Sequence, residues 1–371
     1  MKTSLRAKLV LLGIALLTVP LLIGVAEIAV RLFSKPLDPL AVFVNSPQLR
    51  SDTQGETTRG MFEFDPLLSW RLKPNLRGVW WDYTAVTTNA QHLRMARDIG
   101  AKTGLRIVAL GDSVTFGYRV PVAHSAEKPA DFDPEEKPYP PLLEQTLRAK
   151  YAGRNFEVLP LACPGYTSWQ GNAWLERDID RLKPDIVIAC FGWNDVRAAG
   201  LPDRATMPAS PGQAMVRSIM GRSQLLLSIA ASAQHRQAST TMAIQPEPRS
   251  SDAEYVASFL KMAESCRKRG VWFGIVLPVY RDPNTAGVDP DNPEAPADPA
   301  ESGRMTHYRE QLRKTAQAAN IPVLEIPELF ESAWPGNRDL FGERIHPNAA
   351  GHRLMAERIL EFLAQAISAA K

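Results

Sequence analysis

The stretch Gly111-Asp112-Ser113-Val114-Thr115-Phe116-Gly117 follows directly on the apolar run Arg106–Leu110. A serine at a strand-to-helix turn stands at the carboxyl end of a sheet, where ligands bind in open α/β folds. Its backbone N–H heads a helix, where developing negative charge is favoured. That placement suits a serine nucleophile, although Asp112-Ser113 also reads as a plain helix cap. A base stands near the other end of the chain, in Glu343-Arg344-Ile345-His346-Pro347-Asn348-Ala349-Ala350-Gly351-His352. Pro347 keeps His346 out of helical dihedrals, so the imidazole sits on a restricted loop. The Glu343 carboxylate is a candidate to hold its tautomer. Asp339 is a second candidate, and a backbone carbonyl a third. His352 falls inside the following helix and reads as a packed or capping residue.

Two further segments offer hydrogen-bond donors. Cys163-Pro164-Gly165-Tyr166 follows the run Phe156–Leu161, and a glycine there lets a backbone N–H approach a ligand with no side chain in the way. Gly192-Trp193-Asn194-Asp195 follows Asp185–Phe191, and Asn194 carries a side-chain amide able to donate to an oxyanion. Each segment alone is also ordinary turn chemistry. Taken in chain order, the four supply a nucleophile, oxyanion donors and a base.

The elements that must position these residues are short apolar strands alternating with helical segments. The strands are expected at Leu105–Leu110, Phe156–Leu161, Asp185–Phe191, Val271–Leu277 and Pro322–Ile326. Helices are expected at Pro141–Lys150, Ser168–Leu182, Ala253–Arg269, Met305–Ala319 and Ala349–Ala369. Continuous apolar strands separated by helices indicate a mainly parallel five-stranded sheet covered on both faces, a three-layer α/β/α domain over residues 105–371. Arg119–Pro138 and Arg281–Gly303 are Pro/Asp/Glu-rich and read as surface loops. Ala198–Ser251 is a longer insertion with an apolar patch, Leu225–Ala230, which fits ordinary packing, a lid helix or a second membrane contact. Residues 61–104 are aromatic-rich and alternate over Val79–Val86, as a small β-rich module would. Residues 34–60 read as a polar linker.

Residues 1–33 form a distinct segment. Leu9–Ala26 carries no charge and follows Lys2, Arg6 and Lys8. A helix through it is long enough for a bilayer core of about 30 Å at about 1.5 Å per residue. A cleaved signal peptide is the competing reading, but no convincing small-x-small cleavage site follows the apolar run, so the segment reads as an uncleaved anchor with its basic end in the cytoplasm.

Composition is that of a folded globular protein, with 45% apolar and 22% charged residues and a formal net charge of +3 over 371 residues. Nothing in that balance points to nucleic acid. Cys163, Cys190 and Cys266 have no CxxC or metal-like spacing and read as buried free thiols. No motif calls for a metal or an organic cofactor. Oligomeric state is not legible.

The order Gly-Asp-Ser, Gly, Gly-x-Asn-Asp and x-x-His-Pro-Asn resembles the SGNH (GDSL) hydrolase family over about residues 105–371. The four letters correspond to Ser113, Gly165, Asn194 and His346. Phe64-Asp65-Pro66 and Trp70-Arg71-Leu72-Lys73-Pro74-Asn75 resemble the N-terminal extension of its membrane-anchored bacterial members. The resemblance implies ester cleavage through an acyl-enzyme, with Ser113 as nucleophile and His346 as base. It also implies an oxyanion hole of Ser113, Gly165 and Asn194, and a catalytic domain outside the cytoplasm. One departure stands out: the family has Asp three residues before the histidine, where this chain has Glu343. The absence of Gly-x-Ser-x-Gly argues against the ordinary α/β-hydrolase nucleophile elbow. The substrate would be an ester, with an acylated glycan or lipid as candidates. An O-acyltransferase acting on an envelope polysaccharide would use the same residues, and a non-catalytic envelope binding protein is a third possibility.

Overall fold

Strand β1 (Leu105–Gly111) is buried along its whole length, because residues such as Ile107 and Ala109 face one helical layer while Val108 and Leu110 face the other. The computed structural model describes residues 5–44, 60–81, 84–121, 135–240, 247–279, 299–332, 340–341 and 345–369. Beside β1 lie β2 (Phe156–Ala162) and β3 (Ile186–Cys190), followed by β4 (Trp272–Val276) and β5 (Val323–Leu324). The five strands form one parallel sheet in the order β5-β4-β3-β1-β2. The three-layer α/β/α expectation therefore holds, with every strand at or within a residue or two of its expected bounds.

One face of the sheet carries α4 (Tyr139–Lys150) and α12 (Ala349–Phe362), which pack on each other. Leu143, Leu147, Met355 and Ile359 join Ile107, Ala109, Val158, Ile186 and Ile188 in that core. Truncating such a side chain to alanine costs about 2–5 kcal/mol. The other face carries α5 (Ser168–Leu182), α9 (Asp252–Lys268) and α10 (Pro299–Ala318). The Ser251–Glu254 capping box starts α9, its hydroxyl and carboxylate each meeting a backbone N–H of the first turn. The expected last helix is split, with Leu363 between α12 and the short helix Ala364–Ala369. Cys163, Cys190 and Cys266 are all free and buried, as expected.

The chain divides into two compact units. The sheet and its helices belong to the larger one, made of residues 45–63, 71–206 and 245–371. The smaller comprises Met1–Val44, Phe64–Trp70 and Met207–Ile244. Between residues 61 and 104 the strands are short: Phe62–Asp65 with Ser69–Leu72, and Val79–Trp81 with Thr84–Val86.

In the smaller unit, α1 (Leu5–Phe33) contains the window Leu12–Phe33, with mean hydropathy 2.2 and none of it buried. It is long and apolar enough to cross a membrane. Glu27, the first acidic residue of this helix, has a structural task. Its carboxylate accepts from the Gln224 and Leu225 backbone N–H groups and from the Ser223 hydroxyl, at 2.7–2.9 Å. Those groups open α8 (Gln224–Thr240), so a side chain of α1 caps a helix two hundred positions away in sequence. Arg31 pairs with Glu27 at 2.7 Å and donates to the Arg222 carbonyl at 2.8 Å, where α7 (Pro211–Arg222) ends. Within the insertion patch, Leu227 is buried and Ile229 exposed, so the patch serves packing only in part.

Candidate active site

Three neighbouring strands deliver the first three candidate residues. Gly111 of β1 is in register with Ala162 of β2 and Cys190 of β3. Ser113, Gly165 and Asn194 therefore leave the sheet at one carboxyl edge. Gly111 tolerates no side chain, since a Cβ there would lie 2.0 Å from the Thr115 hydroxyl and 2.9 Å from the Cys190 carbonyl. The chain then turns into the one-turn helix α3 (Ser113–Phe116), with Asp112 as its cap accepting from Val114 N–H at 2.9 Å. The cap reading of Asp112 and the site reading of Ser113 are thus both satisfied by one turn.

His346 meets that turn from the far end of the chain. Its Nε2 lies 2.7 Å from Ser113 Oγ, and both residues are about 9% exposed. The segment is fixed from below by Asn348, whose side chain caps α12 through Gly351 N–H at 3.0 Å. The Tyr118 ring lies over the imidazole at 4.4 Å between centroids, and Trp81 packs edge-on against both Tyr118 and Phe116. The other two candidates for the site, Glu343 and its alternative Asp339, lie outside the described residues.

Asn194, on the one-turn helix α6 (Trp193–Val196), donates through Nδ2 to the Tyr166 carbonyl at 3.0 Å and to Asp112 Oδ2 at 3.3 Å. Gly165 adopts φ +82°, the left-handed region that favours glycine, and its carbonyl accepts from Arg249 Nη1 at 2.6 Å. Among the described residues, the backbone N–H groups of Ser113 and Gly165 have no acceptor. Burial raises the Asp112 carboxyl to about 6, against the opposing pull of its Val114 hydrogen bond and the nearby His346.

The loop that carries Gly165 is held by residues that sequence reasoning missed. Arg249 pairs with Asp203 in a buried ion pair at 3.0 Å and also donates to Gln170 Oε1 at 3.1 Å. Asp203 accepts from the Thr167 hydroxyl at 2.6 Å, and Gln170 accepts from Thr167 N–H at 3.1 Å. Asp195 receives both the N–H and the hydroxyl of Ser168. Its carboxyl is pushed up to about 7 by burial, which outweighs the Ser168 hydrogen bonds. Asp195 adjoins Asn194 in the sequence motif and was legible as a neighbour. Arg249 and Asp203 sit in the insertion, where no periodicity marks them.

On the other side of Ser113, half-buried Arg94 donates to the carbonyls of Phe116, Gly117 and Val120. Its guanidinium is lowered to about 10 by burial. His352 is fully buried, accepts from Tyr139 N–H through Nδ1 at 3.2 Å, and is lowered to about 3 by burial first and then by the Arg94 charge. It is a neutral packed residue, as expected. Trp174 and Trp193 are buried, with their indole N–H groups on Asp178 and the Val279 carbonyl, so both serve packing. Trp169 is half-buried. Among the described residues, no group of His, Cys, Asp and Glu could hold a metal ion.

A model of the GDSL-like lipase/acylhydrolase family matches residues 109–354. No curated protein matches the chain. Among solved structures, it is similar to an α/β-hydrolase enzyme from the Lake Arreo metagenome, at 19% identity and TM-score 0.44, covering 70% of this chain and 95% of that one. It is similar to the lipase/acylhydrolase of Enterococcus faecalis at 16% identity and TM-score 0.42, covering 70% and 95%. A catalytic mutant of an acetylxylan esterase from Geobacillus stearothermophilus has 18% identity and TM-score 0.43, covering 72% and 97%. The family match takes in well over half of the 371 residues, from β1 to α12. The chain therefore belongs to the GDSL-like lipase/acylhydrolase family and is an ester hydrolase.

Proposed function

We propose that the ester is cleaved through an acyl-enzyme on Ser113. His346 takes the Ser113 Oγ proton as Oγ attacks the ester carbonyl, then returns it to the leaving alcohol. Water attacks the acyl-enzyme with His346 again as base, releasing the acid and regenerating the serine. The developing oxyanion is met by the N–H groups of Ser113 and Gly165 and by the Asn194 amide, whose longer bond, to Asp112, is the one exchanged. Glu343 orients the imidazole, with Asp339 as the alternative. The observation that carries this reading is the 2.7 Å contact between Ser113 Oγ and His346 Nε2.

The substrate class proposed is an O-acyl or O-acetyl ester of a glycan or lipid. The test is to acid-quench the enzyme seconds after mixing with 4-nitrophenyl acetate and to map the adduct by peptide mass. An acetyl group on the Ser113 peptide supports the intermediate, and an acetyl elsewhere or nowhere contradicts it. Including an acetyl-accepting glycan separates hydrolysis from acyl transfer by its products.

In the same reading, α1 is an uncleaved single-pass anchor at residues 1–33, with the catalytic domain, residues 105–371, outside the cytoplasm. The linker at 34–60 and the β-rich module at 61–104 lie between them. Glu27 and Arg31 support the uncleaved form, because cleavage beyond them would strip α8 of its cap and α7 of a carbonyl partner. The intact mass of the mature protein tests it: loss of the first thirty or so residues would contradict the anchor.

A further inference from the structure

Helix α7 has its faces reversed. A surface helix of a soluble domain turns its apolar stripe inward and its charge outward. Here Arg217 is the buried residue, 9% exposed, with its guanidinium 5.0 Å from the Phe43 ring and 5.6 Å from the Phe64 ring. It also donates to the Ser69 hydroxyl at 3.0 Å and the Pro66 carbonyl at 3.2 Å. On the same helix Met215, Val216 and Ile219 are 66%, 55% and 53% exposed. Their spacing, i, i+1 and i+4, makes them one stripe rather than scattered apolar residues.

The position of this stripe follows from α1, and what comes next rests on the anchor reading of that helix. Leu9–Ala26 has the length of a bilayer core, so Glu27 and Arg31 lie where the helix leaves it. Arg31 holds the carbonyl of Arg222, the last residue of α7. At about 1.5 Å per residue, Ile219, Val216 and Met215 lie only about 5–10 Å along α7 from that point. A headgroup layer is itself about 5–8 Å thick, so the stripe cannot leave the interface by much. Arg31, Lys35 and Arg222 are exposed at the same end of the unit, as are Leu32 and Phe33. Basic residues beside apolar ones are the composition of an interfacial helix.

We infer that α7 lies on the bilayer that α1 enters, with Met215, Val216 and Ile219 seated at the boundary between headgroups and acyl chains. The smaller unit is then a membrane-surface platform with two contacts, one spanning and one lying flat. Its lipid-facing stripe is exposed for that contact, and the cation that would oppose insertion is drawn inward against Phe43 and Phe64, whose rings stack on each other at 5.0 Å.

The test uses the full chain in vesicles of phosphatidylcholine and phosphatidylglycerol. The native cysteines are buried, so a single introduced cysteine accepts an environment-sensitive fluorophore selectively. Probes at Val216→Cys and Ile219→Cys are compared with Leu21→Cys in α1 and Lys261→Cys on exposed α9. Each labelled protein must retain 4-nitrophenyl acetate hydrolysis. The expected result is blue-shifted emission at 216 and 219, quenched by lipids spin-labelled near the headgroup, with no quenching at 261. Water-like, unquenched probes at 216 and 219 beside a quenched probe at 21 would overturn the inference and leave the anchor standing. Blue-shifted but unquenched probes would mean that protein, a second copy or a partner, covers the stripe, and would overturn it as well. An unquenched probe at 21 would remove the anchor reading and this inference with it.

Discussion

Arg249 donates to the carbonyl oxygen of Gly165 at 2.6 Å, from inside a buried ion pair with Asp203. The same guanidinium reaches Gln170, and Asp203 reaches Thr167, so the loop after β2 is gripped on both sides of Tyr166. The Gly165 carbonyl shares a peptide plane with Tyr166 N–H, which donates to the Cys163 carbonyl at 3.3 Å, so the plane is held at both ends, Gly165 is restrained at φ +82°, and its own N–H is a proposed oxyanion donor. Arg249→Met should lower kcat about ten- to a hundredfold while leaving KM within about twofold, because misplaced donors lose transition-state rather than ground-state contacts. It should also destabilise the fold by about 3–5 kcal/mol, since Asp203 loses its buried counter-charge. Arg249→Lys should recover much of the stability and less of kcat. Steady-state kinetics below the melting range, beside thermal melts, checks both. Equal loss in kcat and 1/KM would contradict the positioning role.

Asn194→Ala should reduce turnover by about a hundredfold or more, the usual effect of deleting one oxyanion donor. Asp112 would lose a neutral hydrogen bond in that variant, and its carboxyl would rise further. Wild-type-like kcat on 4-nitrophenyl acetate would remove Asn194 from the mechanism.

The buried carboxyl of Asp195 sets a pH dependence of stability. Its folded value, about 7, is above the ordinary 3.8. The folded protein therefore holds a proton that the unfolded chain has released between about pH 4 and pH 7. Stability from this group is complete below about pH 4 and is lost as pH rises through 7. The difference is on the order of 4 kcal/mol at 1.36 kcal/mol per pH unit. Asp112 acts in the same direction, and His352, lowered to about 3, acts in the opposite one. The clean readout is thus a difference: the Tm of Asp195→Asn minus that of the wild type should grow by several degrees from pH 5 to pH 7.5. A pH-independent gap would contradict the assignment.

Tyr118 covers His346 and is itself buttressed by Trp81. Such aromatic contacts are worth about 0.5–1.5 kcal/mol beyond their buried area. Tyr118→Ala should therefore lower kcat about three- to tenfold by loosening the imidazole, and Tyr118→Leu should lose less. Unchanged kcat in Tyr118→Ala would show that the ring does not steady the base.

The sheet was legible because its strands are continuous apolar runs with helices between them, the pattern expected of a doubly covered parallel sheet. That Ser113, Gly165 and Asn194 would leave the sheet at one edge was legible for the same reason, each lying just beyond such a run. His346 was legible through Pro347, which marks a restricted loop at a helix start. What stayed hidden depends on contacts between distant segments. Arg249 and Asp203 lie in an insertion without period, and only the folded chain brings them to the loop of Gly165. Tyr118 and Trp81 come from stretches without helical period, and nothing local says that they stack toward a histidine. In the sequence Glu27 only ends the uncharged run Leu9–Ala26, because its purpose, capping α8, lies on another element.

Whether Ser113 is the nucleophile and His346 its base is decided by one comparison of three proteins. Wild type, Ser113→Ala and His346→Gln, each as the full chain in detergent, are incubated with a fluorophosphonate probe and with 4-nitrophenyl acetate. The wild type should be labelled and should hydrolyse the ester. Ser113→Ala should do neither, and His346→Gln should label and turn over slower by about a thousandfold or more. Labelling and hydrolysis by Ser113→Ala at the wild-type rate would contradict Ser113 as nucleophile.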